Sequence, residues 1–384
     1  MKILELTNFS AGICGVWSRV KQESELLTEK NHEVRVFSSN FVKGSNKIAP
    51  TEEMLGKIKI TRFPATKLGG ESFMSWKFEK EALKFKPDLI IAHSYRHLHT
   101  TKTLKVINQL RKQGNKVKVF LVTHAPFTED NSTRTFFGKL AVNFYDRFIG
   151  PRKINKFDKV IAITKWEIPY IIKLGCKKEK LTYIPNGIPE EFFKEEIKEF
   201  KGQTIVFLGR ISPIKDLETL IKAFKIITKK NKTIKLKIIG PVEEPYGTKI
   251  TKLVEILELN DKSKLVEFVH PIYDLNKKIK ALQGADIFVL PSKSEAMPQV
   301  LIEAMSLGKV VISSTTQGGK EIIENGKTGF LFEIKNEKQL SDKILWCLNK
   351  KNKLKLKNIQ KNARKKALDY RWSMLIEKLE KLIC

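Results

Sequence analysis

Residues 291–313 read PSKSEAMPQVLIEAMSLGKVVIS, and the rest of the chain is organised around them. Pro298 has a fixed φ and no N–H, which suits the first helical position. Its ring also pushes Met297 out of the α region, so a helix is expected to start there. Val300, Leu301, Ala304, Met305 and Leu307 recur at helical spacing, and Gly308 is placed to end the helix in a left-handed conformation. IFVLPS before the helix and KVVISS after it are short apolar runs of the buried-strand type. The unit is strand, loop, helix, strand, with its loop at the carboxyl edge of a parallel sheet, where ligands bind. Glu295 lies in that loop, and Glu303 lies about one and a half turns into the helix. The amides of Gln299, Val300 and Leu301 are expected to be unpaired and to point back at the loop, as an anion site requires. Taken alone, the same residues also describe an ordinary βαβ unit with two surface glutamates.

Upstream, the pattern alternates without interruption. TIVFLGR, IKLKIIG and LVEFVH read as strands, and TLIKAFKIITKK, TKITKLVEILELN and KKIKALQGA read as the helices between them. The first half runs the same way. KILELT is a strand, a helix covers about Val16 to Lys30, and HEVRVFS, KPDLIIAHS, VKVFLVTHAPF and DKVIAITK are further strands. Pro185, Asn186–Gly187 and Pro189 break the chain between the halves. Two doubly wound α/β domains of Rossmann type, facing each other across a cleft, are expected: residues 1–188 and 189–366. The closing residues 367–384 hold an amphipathic helix with Trp372, Leu375, Ile376, Leu379 and Leu382 on its apolar face, expected to pack back on the first domain.

The length of 384 residues fits two domains, and 30% charged with 41% hydrophobic residues describes a soluble globular protein. Glu5 interrupts the apolar start, so it reads as a strand and not a secretory leader. No apolar run approaches the roughly 18 residues of a membrane span. Cys14, Cys176, Cys347 and Cys384 form no C-x-x-C pair, so neither a zinc site nor a disulfide framework is expected, and a reducing cytoplasm fits. The net charge of +30 is spread over both halves. Lys-rich background composition, an anionic membrane surface and nucleic acid all accommodate it, but no nucleic-acid-binding motif or repeat is present, so no nucleic-acid partner is expected. Residues 132–153 keep Phe137, Leu140, Ala141, Phe144, Tyr145 and Phe148 at helical spacing beside Arg134, Lys139, Arg147, Arg152 and Lys153. That is the face an interfacial helix presents to anionic lipid, or a helix packed on its own domain.

Charged candidates cluster at the expected carboxyl edges. His93 and His124 each end a buried-strand run. Arg210 leaves a strand end and Lys215 follows five residues later, two cations that suit a diphosphate. Gly15, in a loop that does not spell G-x-G-x-x-G, permits close backbone approach at a helix start.

The set GR…K (209, 210, 215), Glu295 and Glu303 in E-x7-E, and GGKEIIENGKTGFLF (318–332) resembles the family-4 glycosyltransferases. The resemblance extends to KILELTNFSAGICGVWSRVKQESELLTEKNHEVRVFS, DKVIAITK…YIPNGI and RWSMLIEKL, and so to nearly the whole chain. It implies the GT-B fold and a retaining transfer from a nucleotide-diphosphate sugar to a hydroxyl acceptor, saccharide or lipid-linked, without metal or other cofactor. Arg210 and Lys215 match the pair that holds the donor diphosphate, and Glu303 the glutamate that takes the nucleotide ribose. Glu295 matches the glutamate facing the donor sugar, His124 the histidine beside it, and Gly15 the glycine that approaches phosphate or sugar. The resemblance therefore makes Glu295, His124, Arg210 and Lys215 the catalytic candidates. Gly15, Met297, Pro298, Gln299, Val300, Leu301 and Glu303 complete the donor-binding set.

Three departures stand out. Asn31 replaces a glycine before His32, Ala296-Met297-Pro298 replaces a glycine-rich loop, and His270 stands where relatives have glycine. No D-x-D motif that would hold a metal on the diphosphate is found. A sugar-nucleotide epimerase or phosphorylase of the same fold, and a non-catalytic basic membrane- or nucleic-acid-binding protein, are the alternatives.

Overall fold

Buried apolar runs alternating with amphipathic segments can cover both faces of a parallel sheet, and the chain does this twice. The computed structural model describes residues 1–12, 14–67, 70–127, 136–260 and 264–383, and only the backbone of Phe136 and Phe137. It divides into one unit of Met1–Gly187 with Trp372–Cys384 and a second of Ile188–Arg371. The first division thus falls one residue before the expected boundary. The return begins at Trp372 and not at 367, because Ala363, Ala367 and Tyr370 are buried in the core of the second unit.

The first unit contains β1 (Lys2–Phe9), β2 (Glu33–Ser39), β3 (Glu52–Leu55), β4 (Ile58–Phe63), β5 (Ala65–Lys67), β6 (Met74–Trp76), β7 (Leu89–His93), β8 (Lys118–Val122), β9 (Lys159–Ala162) and β10 (Leu181–Tyr183). Eight of them form a sheet in the order β10-β9-β8-β7-β1-β2-β4-β3, while β5 and β6 pair separately. β3 runs antiparallel at the edge and the other pairings in the sheet are parallel. The strand order reverses between β1 and β7. The second unit contains β11 (Thr204–Leu208), β12 (Lys235–Ile239), β13 (Val266–Val269), β14 (Ile287–Leu290), β15 (Val310–Ser314) and β16 (Phe330–Phe332). They form a parallel sheet ordered β13-β12-β11-β14-β15-β16, which reverses between β11 and β14. Ile205, Phe207, Leu236, Ile238 and Phe288 are completely buried here, as are Leu4, Leu6, Ile90 and Leu121 in the first sheet. Each such side chain contributes about 1.5–3 kcal/mol relative to exposure.

The local signals resolve as physical chemistry requires. The first helix is Gly15–Glu29, and Asn31 after it takes φ 65° in place of the glycine. Gly308, with φ 66°, ends the helix Gln299–Ser306. Pro298 is not the first helical residue: it stays extended (φ −78°, ψ 93°) and caps from outside, its carbonyl accepting from Leu301 N at 3.0 Å. Residues 343–366, a run with many basic and no acidic residues, fall on helices Glu337–Leu348 and Lys353–Ala367, with Leu356, Ile359 and Ala363 inside and Leu354 in water.

The expected single helix over 132–153 is broken. Residues 132–135, Arg134 among them, lie outside the described residues. Phe136–Phe144 is α, Tyr145–Ile149 is a π turn, and Gly150–Ile154 resumes α. Pro151 has no N–H to give the preceding turn. A Cβ on Gly150 would lie 1.8 Å from the Tyr95 hydroxyl, so a larger residue there would displace the Tyr95 side chain. The last helix, Trp372–Ile383, lies on Gly15–Glu29. Trp372 Nε1 donates to Gln22 Oε1, and His32 Nε2 meets Glu380 at 2.9 Å.

Candidate active site

In the second unit the strand order sets the site. β11 and β14 are neighbours at the point where the order reverses, so the loops leaving their carboxyl ends open side by side. Lys215 closes the short 3₁₀ turn Pro213–Lys215, and Glu295 lies in the loop after β14. Lys215 Nζ and Glu295 Oε1 are 2.5 Å apart, and Ser292 Oγ donates to the same oxygen at 2.6 Å. The two loops are tied again by Lys293 N donating to Ile214 O at 2.8 Å and by Lys293 Nζ 3.5 Å from Asp216. Sequence reasoning set Lys215 at the phosphate end and Glu295 at the sugar end, whereas here they are an ion pair. Arg210 remains loose: its side chain is 41% exposed, and its contact with Glu243, at 3.8 Å, is long. Its guanidinium is therefore available to an anion.

Glu303 is buried, with 6% of its surface exposed. Lys278 Nζ pairs with its Oε1 at 2.6 Å, while Oε2 is buried without a donor among the described residues. An orphan buried acceptor is costly and suits a ligand hydroxyl. Lys278, on the helix Leu275–Gln283, was missed, and no motif or spacing singles it out in a Lys-rich chain. The expected set of free amides is also corrected, because Leu301 N is committed to Pro298 O. Met297 and Val300 pack against the core of the unit. Glu295 O accepts from Gly318 N at 2.9 Å. A Cβ on Gly318 would come within 2.6 Å of Pro298 Cδ and 2.7 Å of Ala296 O. The glycine that lets Ala296-Met297-Pro298 pack tightly thus lies in the facing GGKEI segment. His270 is exposed just beyond β13.

In the first unit Gly15 is exposed and opens its helix. His124, half-buried just after β8, has φ 58°, and Ala125 after it has φ 47°. Glu167 ties the flanks of this pair: its carboxylate accepts from Thr123 Oγ1 at 2.8 Å, Ile163 N at 2.6 Å and Thr164 N at 3.1 Å, and from the Ala125 backbone. Burial raises the Glu167 carboxyl to about 7 against those bonds. His93 and His124, each expected at the carboxyl edge, are in contact, Nδ1 to Nε2, at 2.9 Å. Behind them His93 Nε2 meets Glu5 Oε2 at 2.7 Å, and Arg19 Nε meets Glu23 at 2.9 Å. Glu5, Glu23, Arg19 and His93 are all completely buried. Glu5, Glu23 and His93 bring three ligand atoms within 4.8 Å of one another, as a metal would need. The Arg19 guanidinium already supplies the positive charge there.

Two α/β units, one of them carrying paired charges at a reversal of strand order, define an enzyme-type ligand site. Residues 188–366 match the family model for glycosyl transferases group 1, and residues 13–192 match that for glycosyltransferase family 4. The chain belongs to this glycosyltransferase family and has its GT-B fold. It is 25% identical over 363 residues to an uncharacterized glycosyltransferase of Methanocaldococcus jannaschii, covering 90% of this chain and 88% of that one. It is 38% identical over 114 residues, 30% of each chain, to the N,N'-diacetylbacillosaminyl-diphospho-undecaprenol alpha-1,3-N-acetylgalactosaminyltransferase of Campylobacter jejuni. Among solved structures, Anabaena HepE in complex with UDP and glucose superposes with a TM-score of 0.71 at 18% identity, covering 99% of this chain and 98% of that one.

Proposed function

We propose that this glycosyltransferase is retaining, takes a nucleotide-diphosphate sugar on its second unit, and passes the sugar to a hydroxyl of a lipid-linked acceptor on its first. The observation that carries the reading is the Lys215–Glu295 pair, joined by Ser292, at the strand reversal beside the half-exposed Arg210. Arg210 and Lys215 supply two positive charges for a diphosphate, and Glu303 offers an unsatisfied acceptor for a ribose hydroxyl. The UDP complex of the structurally similar HepE supports a nucleotide donor. In the step we favour, the bond from the anomeric carbon to the phosphate oxygen breaks on the face where the acceptor oxygen bonds. The acceptor proton passes to the departing phosphate. Lys215 and Arg210 stabilise the charge that develops on that phosphate without a metal. Thermal shift across a panel of nucleotide sugars identifies the donor, since a bound donor stabilises the fold. The product's anomeric proton is then expected to show retention by NMR, with the rate unchanged in EDTA. Inversion, or a rate lost in EDTA, overturns the corresponding part.

The acceptor reading draws on the first unit. Leu140, Ala141, Phe144 and Phe148 are exposed while Tyr145 packs on the core of the unit, so the face is only partly covered, and Lys139, Arg147 and Arg152 are exposed around it. Beside it lies an apolar hollow of about 680 Å³, lined by Phe73, Leu98, Ala141, Phe144, Tyr145 and Ile149, that suits a hydrocarbon chain. No helix among the described residues is long and apolar enough to cross a membrane. The face instead has the character of an interfacial anchor at the cytoplasmic surface of an anionic membrane. The lipid-linked acceptor named for the Campylobacter jejuni relative agrees with this. The variant carrying Leu140→Ser and Phe144→Ser is expected to cosediment with anionic liposomes at least about tenfold more weakly than the wild type. Equal binding of the two proteins would argue for a soluble acceptor.

A further inference from the structure

A polar line crosses the core of the first unit and ends at His124. It runs from Arg19 to Glu23 (2.9 Å), then to Glu5, from Glu5 to His93 (2.7 Å), and from His93 to His124 (2.9 Å). Glu5 Oε1 and Glu23 Oε1 are buried and meet no donor among the described residues, although the two side chains lie within hydrogen-bonding reach of each other. Two carboxylates in contact cannot both stay ionised in such a place. One proton held between them satisfies both orphan oxygens and leaves one negative charge to face the single guanidinium of Arg19.

That proton orients everything downstream. With it between the carboxyl groups, Glu5 Oε2 has no hydrogen to give and accepts from His93 Nε2. A neutral imidazole carries one N–H, so His93 Nδ1 must accept, and the hydrogen in the 2.9 Å contact belongs to His124 Nε2. His124 Nδ1 is then bare, and no hydrogen bond from the described residues engages it. Burial agrees with these protonation states. It raises Glu5 to about 8, lowers His93 to about 3, and drives His124 well below its ordinary range, with His93, Arg19 and His97 adding repulsion.

We propose that Glu5 and His93 are positioning residues that fix His124 as the neutral Nε2–H tautomer and present its Nδ1 as an acceptor for a hydroxyl of the sugar substrate. The substrate half rests on the reading given under Proposed function, and the tautomer half does not. The line ends on a left-handed backbone pair whose neighbour Thr123 and whose Ala125 backbone are bonded to Glu167, so the loop is held by a group other than the one that orients the ring. A hydroxyl that donates to Nδ1 is recognised. A group that can only accept is not.

Protein with ¹⁵N-labelled histidine tests this without an assay, the His124 ring being assigned by its loss in His124→Gln. The wild type is expected to show the Nε2–H tautomer, unchanged between about pH 6 and 8. An Nδ1–H tautomer, or a charged ring in that range, overturns the proposal. Glu5→Gln should keep the tautomer, because the amide donates to Glu23 while its carbonyl accepts from His93, and loss of the Nε2–H form in a folded Glu5→Gln protein overturns the role given to the shared proton. His93→Phe removes the acceptor, so both tautomers should appear and kcat should fall about tenfold with the donor KM little changed. An unchanged kcat in a folded His93→Phe protein overturns the positioning role. If no nucleotide sugar turns over while the wild-type tautomer is as stated, the substrate half falls together with the reading it rests on.

Discussion

Lys215→Ala is expected to lower the rate of sugar transfer about 10²–10³-fold, the usual loss when one donor to a developing anion is removed. Lys215 is the only cation of the pair held at the strand reversal by a short bond, 2.5 Å to Glu295, whereas Arg210 is loosely held. A pre-placed cation costs no reorganisation when the phosphate departs, so its loss should appear mainly in kcat. The substitution also leaves Glu295, only 12% exposed at its side chain, with Ser292 as its one remaining side-chain partner among the described residues, close to where the diphosphate would sit. A second variant separates the two effects. If Lys215 merely neutralises Glu295, adding Glu295→Gln to Lys215→Ala should restore the rate. If Lys215 acts on the leaving group, it should not. A Lys215→Ala rate within about threefold of the wild type would remove Lys215 from the catalytic set.

Much of the frame was legible because it depends on local periodicity. A four- to eight-residue apolar run can be a buried strand wherever it occurs, and the segments between such runs were long enough for crossover helices. The short strands β3, β5 and β6, of three or four residues each, were not legible, because pairing and not composition makes them strands. Arg210, Lys215, Glu295 and Glu303 could be named from motifs. Their partners could not: Lys215 and Glu295 are 80 positions apart and meet only because β11 and β14 are neighbours. The buried line behind His124 was the least visible part. Arg19 and Glu23 have the spacing of a surface ion pair on a helix, and nothing local says that this face is covered. Glu5 leaves one trace in the sequence, a carboxylate interrupting the apolar run of the first strand. A charged residue inside an otherwise buried strand asks where its counter-charge lies, and here the answer sits on the first helix.

That answer carries the second large effect. Arg19→Met is expected to destabilise the first unit by about 3–5 kcal/mol, the range for removing one partner of a buried pair. Arg19 is completely enclosed. Besides Glu23 it donates through Nη1 to Ile184 O at 3.0 Å, Pro185 O at 3.1 Å and Asn186 Oδ1 at 3.2 Å, so it also ties the first helix to the end of the unit. Methionine fills similar space but leaves the carboxyl pair a negative charge with no partner. The pair must then bind a second proton, and the loss should shrink as pH falls. The sign follows from linkage: burial raises Glu5 and Glu23 in the folded state, so that state binds more protons than the unfolded chain, and stability falls as pH rises from the unfolded carboxylate range through about 8. Urea unfolding can be followed by tryptophan fluorescence, since Trp17, Trp76, Trp166 and Trp372 belong to this unit and Trp346 alone to the other. Adding Glu23→Gln to Arg19→Met removes the excess charge and should recover about half of the loss, the remainder belonging to the abandoned carbonyls. A cost below about 1 kcal/mol for Arg19→Met would mean that water reaches the pair, and the shared proton inferred for Glu5 and Glu23 would have no basis.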